Sequence, residues 1–189
     1  EFYSPDKGHI YVDGAELQNF EVQEIRKAVV YVSQEDFLFT ASVRENLKMG
    51  NEEISDEEMI EISRKMGVHQ FVSKMEREYD SVLEERGKNL SKGQRQKLSL
   101  TRAILRHPKI LILDEATSNM DSISEREILN YIKGIRDITL ILISHRINVI
   151  ADSDCIYVLQ KGNIVARGTD KQLKEQCKLY RQLYGEEEK

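Results

Sequence analysis

The run Lys109-Ile110-Leu111-Ile112-Leu113-Asp114-Glu115-Ala116-Thr117 constrains this chain more than any other stretch. Four consecutive Ile and Leu residues read as a short strand buried on both faces. Two carboxylates follow at once. In open α/β sheets, ligands bind where strands end. A carboxylate pair at the edge of a dry core suits Mg²⁺ and phosphate chemistry, one acid for the metal shell and one to take a proton from water. Taken alone, the same residues are also a strand followed by a solvated acidic turn, and only their surroundings separate the two readings.

The surroundings are those of an α/β protein. A turn over Phe2–Gly8 precedes a strand over His9–Gly14, with His9 on its surface, and Ala28–Val32 forms a second strand ending in Ser33-Gln34. Residues 41–107 read as helical. Ser55 and Glu58 have capping-box spacing, Gly67 ends that helix, and a short helix over Val68–Met75 carries His69 as an exposed polar residue. Leu90-Ser91-Lys92-Gly93-Gln94 opens a helix to about Arg106, with Ser91 and Gln94 again in capping-box spacing and Leu98, Ala103 and Ile104 on the buried face. A helix start with a hydroxyl and a close-approach glycine can hold an anion, or can simply be capped. His107-Pro108 breaks the helix ahead of the acidic strand.

Beyond it, Ser118–Ser122 reads as a loop, Glu125–Gly134 as a helix, and Thr139–Ile143 as a second buried strand ending in Ser144-His145-Arg146. This is βαβ logic with a parallel sheet. A helix near Ile147–Ala151, a hairpin turning at Lys161-Gly162-Asn163 and one closing helix over Lys171–Tyr184 complete the chain, leaving Glu186–Lys189 as a frayed end. The net charge of −5 argues against a general nucleic-acid binder, and no apolar run approaches the length of a membrane span. The first residues do not read as a secretory signal, and Cys155 and Cys177, without metal-like spacing, read as reduced thiols.

Polar stations thus stand at the ends of successive elements, and their order resembles the nucleotide-binding domain of ATP-binding-cassette (ABC) transporters over nearly the whole chain. Leu90–Gln96 resembles the LSGGQ signature, with Lys92 in place of the usual glycine. Ile110–Thr117 is similar to the Walker B strand with its adjoining glutamate. Ser118–Asp121 resembles the D-loop, Ser144–Arg146 the H-loop, and Val32-Ser33-Gln34 with Phe37-Leu38-Phe39 the Q-loop.

The resemblance implies a P-loop NTPase-like (RecA-like) α/β fold: a parallel sheet core with antiparallel β elements, residues 1–40 and 104–189 forming the core and 41–103 an inserted helical subdomain of a single 1–189 domain. It implies ATP as substrate and Mg²⁺ as cofactor. Asp114 would help hold the metal, reached also by Gln34. Glu115 would be the general base, and His145 would sense the γ-phosphate. Ser91, Lys92, Gly93 and Gln94 would grip ATP bound on a second, head-to-tail cassette, with Ser118 and Asp121 at the dimer seam. Phe37–Leu47 and Gly8–Gly14 resemble exporters. That implies a transmembrane domain as partner, fused on the same polypeptide, and a place on the cytoplasmic face of the cell membrane, with peptide, lipid or drug-like cargo. The alternatives are a non-catalytic regulatory cassette and a soluble ABC-type ATPase.

No G-x-x-x-x-G-K-[ST] occurs in the sequence. In the family this phosphate loop lies upstream of the residues matching Phe2-Tyr3. The chain therefore reads as a cassette lacking its N-terminal part, expected to bind ATP weakly by itself and to expose apolar strand surface.

Overall fold

The computed structural model describes residues 5–35 and 37–187; Phe2 to Ser4 of the first turn, and Glu188 and Lys189 of the tail, lie outside them. The chain forms two compact units, residues 1–141 and 142–189.

The first unit opens with a small antiparallel hairpin, β1 (Tyr11–Val12) against β2 (Ala15–Glu16). Asp13 and Gly14 turn it, both at positive φ, 49° and 79°. His9 is exposed and pairs through Nδ1 with Glu16 Oε1 at 2.6 Å. Helix α1 (Val22–Ala28) runs directly into β3 (Val29–Val32).

The helical stretch is more broken than its composition suggests. It comprises α2 (Val43–Lys48), α3 (Asp56–Lys65), α4 (His69–Val72), 3-10 turns at Glu78–Asp80 and Glu85–Gly87, and α5 (Lys92–Leu105). Ser42 and Glu45 close a full capping box on α2. On α3 only half of the expected box forms: Ser55 Oγ accepts from the Glu58 N–H, while the Glu58 carboxylate pairs with His107 Nε2 at 3.2 Å. The Glu58 side chain thus turns from the local amide to a partner beyond the helix. Gly67 ends α3 at φ 70°, a left-handed backbone that glycine adopts without steric cost. His69 is not the exposed residue expected; it is half-buried, stacked on Tyr79 and bonded through Nδ1 to the Tyr79 hydroxyl at 3.0 Å.

Helix α5 is the axis of this unit, packing on α2, α3 and β3. Its Leu98, Leu100 and Leu105 are fully buried, as are Val43, Leu47, Met59 and Met66. Strand β4 (Ile110–Asp114) follows and pairs in parallel with β3, Tyr31 opposite Ile112 and Val32 opposite Leu113. Helix α6 (Ser122–Lys133) comes next, starting earlier than the sequence suggests because Asp121 caps it: its side chain accepts from the Ser124 N–H. Strand β5 (Thr139–Ile143) completes the sheet in the order β3-β4-β5.

Neither apolar strand is buried as the sequence implies. On β4, Leu111 and Leu113 are fully buried but Ile110 and Ile112 are half-covered. On β5, Ile141 and Ile143 stay 43% and 48% exposed. A run of Ile and Leu shows that a strand is apolar; only the elements packed over each face decide burial, and here one face of the sheet is well covered and the other is open.

In the second unit come α7 (Ile147–Ile150) and an antiparallel hairpin of β6 (Ile156–Gln160) and β7 (Asn163–Gly168). Lys161 and Gly162, at φ 49° and 77°, turn that hairpin. Where the sequence suggests one closing helix there are two, α8 (Asp170–Gln176) and α9 (Lys178–Glu187), broken at extended Cys177. The break lets Tyr180 and Tyr184 return their hydroxyls to Asp170 Oδ1, at 2.9 and 2.6 Å. Ile147, Ile156, Val158, Leu173, Cys177 and Tyr180 form the core of this unit. Among the described residues no helix is long and apolar enough to cross a membrane.

Candidate nucleotide site

The parallel register sets the site. Because Val32 stands opposite Leu113, Ser33-Gln34 and Asp114-Glu115 emerge at the same end of adjacent strands. Gln34 is exposed in the bend after β3. Asp114 is half-buried, and its Oδ2 accepts from the Tyr31 hydroxyl at 2.8 Å. The hydrogen bond to Asp114 raises the Tyr31 pKa, with burial and the carboxylate charge adding to it. Tyr31 thus keeps its proton and donates. The sequence marks Tyr31 only as a strand residue; its alternation with buried Val30 and Val32, which puts it on the other face, was the available signal.

Glu115 adopts φ 50°, a left-handed backbone that non-glycine residues seldom take and that recurs at functional sites. The chain leaves the strand sharply there. The Glu115 carbonyl accepts from the Ser118 N–H at 3.1 Å, and the Thr117 carbonyl from the Met120 N–H at 3.1 Å. Ala116, Thr117 and Met120 are buried, so this loop is packed in place. The Ser118 hydroxyl is also buried, with no partner among the described residues.

The start of α5 meets this loop. Ser91 Oγ accepts from the Gln94 N–H at 3.2 Å and Gln94 Oε1 from the Ser91 N–H at 2.8 Å, the full capping box. Gln94 is therefore engaged in the cap, while Lys92 is exposed. The Lys92 and Gly93 amides are among those a helix start leaves without intrahelical partners. A β-carbon on Gly93 would stand 3.1 Å from the Asn119 carbonyl oxygen, which explains glycine there. Asp121 is exposed and serves as the α6 cap. The Ser124 N–H, then the Ser124 hydroxyl, hold its carboxyl below the ordinary range. Lys97 Nζ donates to Ser124 Oγ at 2.9 Å.

The first unit thus gathers Asp114, Glu115, Ser118 and Asp121 on one short segment, with Ser91–Gln94 beside it. His145 belongs to the second unit, exposed in the turn after β5, where the Ser144 hydroxyl accepts from the Arg146 N–H at 3.0 Å.

No group of three His, Cys, Asp or Glu side chains that could hold a metal unaided exists among the described residues. One or two carboxylates shared with phosphate oxygens and water are what Mg²⁺ needs. Asp114, already oriented by Tyr31, fits that requirement.

The family model described as ABC transporter matches residues 1–118. The chain belongs to the ABC transporter family. It is 43% identical over 176 residues to the heterocyst differentiation ATP-binding protein HepA of Nostoc sp., covering 93% of this chain and 29% of that protein. It is 40% identical over 190 residues to the leptomycin B resistance protein pmd1 of Schizosaccharomyces pombe, covering 98% of this chain and 14% of the relative. A solved structure of a bacterial Atm1-family ABC exporter with ATP bound superimposes with a TM-score of 0.93 at 30% identity, covering 98% of this chain and 33% of that one. The chain thus spans a third or less of the length of these proteins. The family resemblance carried by the motifs is borne out, and so is the α/β fold with its parallel and antiparallel strands.

Proposed function

We propose that this chain is the ATP-hydrolysing part of an ABC exporter, working as a head-to-tail pair of cassettes joined to a transmembrane domain, at the cytoplasmic face of the membrane. The observation that carries the reading is the Asp114-Glu115 pair leaving β4 through the left-handed turn at Glu115, onto a packed loop that abuts the capped start of α5. Residues 1–40 and 104–189 supply the core and 41–103 the helical subdomain.

Phosphoryl transfer to water demands positioning and charge stabilisation more than covalent chemistry. Glu115 takes a proton from the attacking water. Asp114 would help hold Mg²⁺, with Tyr31 fixing its carboxylate, and Gln34 would reach the same place from the neighbouring strand. Mg²⁺ when bound neutralises charge on the β- and γ-phosphates. His145 contacts the γ-phosphate. Ser91, Lys92 and Gly93 present hydroxyl, charge and helix-start amides to the nucleotide on the opposing cassette, and Gln94 supports them from within the cap. Ser118 and Asp121 line the seam between cassettes. On this reading the chain by itself, whose sequence contains no G-x-x-x-x-G-K-[ST], binds MgATP weakly.

The deciding experiment is Glu115→Gln in the full encoded polypeptide. Loss of a general base lowers turnover by about 10²–10⁴-fold, while ATP-driven pairing of the cassettes persists. An unchanged rate overturns the reading and favours a regulatory cassette.

A further inference from the structure

The Asn119 backbone meets α5 at two points. Its N–H donates to Gln96 Oε1 at 3.0 Å, and its carbonyl oxygen lies against Gly93. Because Asn119 presents a backbone N–H, the Gln96 atom facing it must be the oxygen. Gln96 is 0% exposed, and its Nε2 finds no partner among the described residues. A buried amide satisfied on one side only is costly. An apolar side chain of similar size would fill the same space without that cost. What the amide adds is its hold on Asn119.

That hold joins the two halves of the site. Gln96 lies in the first turns of α5, the helix whose start carries Ser91, Lys92 and Gly93. Asn119 lies on the loop that begins at Glu115 and ends at Asp121, stiffened by the turns from Glu115 to Ser118 and from Thr117 to Met120. We propose that Gln96 is a positioning residue: through Asn119 it fixes the segment bearing Glu115 relative to the nucleotide-facing start of α5. Engagement of nucleotide at that helix start then bears directly on the placement of the base. The inference rests on the reading of Glu115 as the general base.

The test uses the full encoded polypeptide. Gln96→Met keeps length and apolar volume but removes the acceptor. The expected result is a fall in kcat of about ten- to a hundredfold, the scale of a misplacement near 1 Å, with ATP affinity unchanged and faster hydrogen exchange at the Asn119 amide. Gln96→Glu keeps an oxygen for Asn119. That oxygen accepts from the Asn119 N–H in either protonation state, so a folded Gln96→Glu variant should show recovery of most of the kcat that Gln96→Met loses, a rescue a packing role would not produce. A Gln96→Met kcat within about twofold of wild type, or a parallel loss of kcat and ATP affinity, overturns the proposal. So does a folded Gln96→Glu variant with no such recovery. Should Gln96→Met fail to fold, exchange at Asn119 in the wild type decides: an amide exchanging at the rate of an open loop overturns the proposal, and a protected one supports it. Glu115→Gln is the control. If that variant keeps its turnover, the assignment of the base has failed, whatever Gln96 does.

Discussion

Strands β4 and β5 look alike in the sequence and differ in the structure. Each is a short run of Ile and Leu that ends in polar residues. Yet β4 buries Leu111 and Leu113 completely and hands the chain to a packed loop, whereas β5 leaves Ile141 and Ile143 about half exposed. After β4, Glu115 takes a left-handed backbone and Asn119 is pinned to α5. After β5, the Ser144 hydroxyl accepts from the Arg146 N–H within the turn, and His145 is exposed. The end of β4 is packed where the end of β5 is open.

The largest effect should come from the buried side of that comparison. Leu113→Ala removes a fully buried side chain beside Asp114 and should cost about 2–5 kcal/mol, read from urea denaturation. A cost below that of an exposed residue would mean that the end of β4 is loosely packed. The next test concerns the polar frame. Ser91→Ala deletes the acceptor for the Gln94 N–H and should cost about 1 kcal/mol, with Ser91→Asp recovering most of it. Ile143→Ala should cost less than about 1 kcal/mol. On the open strand face, Ile143→Ser should reduce self-association of the chain in sedimentation, because exposed apolar strand surface favours pairing. Equal costs for Leu113→Ala and Ile143→Ala would erase the contrast between the strands.

The contrast also marks what could be read in advance. Features encoded by neighbours in sequence were legible: the Ser91–Gln94 cap, the left-handed Gly67, the hairpin turn at Lys161-Gly162, and the acidic pair at the end of an apolar run. Features that depend on distant partners were not. The Tyr31–Asp114 hydrogen bond spans 83 positions and exists only because β3 and β4 pair in parallel at one register. The Gln96–Asn119 bond needs α5 to pass beside the loop after β4. The Glu58 carboxylate had a local partner available and took His107 instead. The exposure of β5 is a property of what covers it, which no local pattern records. The break at Cys177 has no glycine or proline to announce it; its reason, the return of two tyrosines to Asp170, lies on either side of it.

The closing helices of the second unit and the start of α6 are held by different donors to a depressed carboxyl. Burial pulls the Asp170 carboxyl upward, but hydrogen bonds from Lys174, Tyr184 and Tyr180 outweigh it and hold the group below the ordinary aspartate value. A carboxyl depressed by folding contributes stability that is present above its unfolded value and is lost as pH falls through its folded value. The second unit should therefore weaken in acid, and Asp170→Asn should flatten that acid limb while lowering stability at neutral pH. The Asp121 carboxyl is depressed too, but by the Ser124 N–H and hydroxyl. Asp121→Asn keeps an acceptor for the same amide, so it should alter the acid limb while leaving the start of α6 intact. Circular dichroism melts of both variants between neutral and acid pH would check this. If Asp170→Asn left the pH profile unchanged, the charge of Asp170 would not be what links the closing helices to pH, since asparagine keeps an oxygen for the tyrosine hydroxyls.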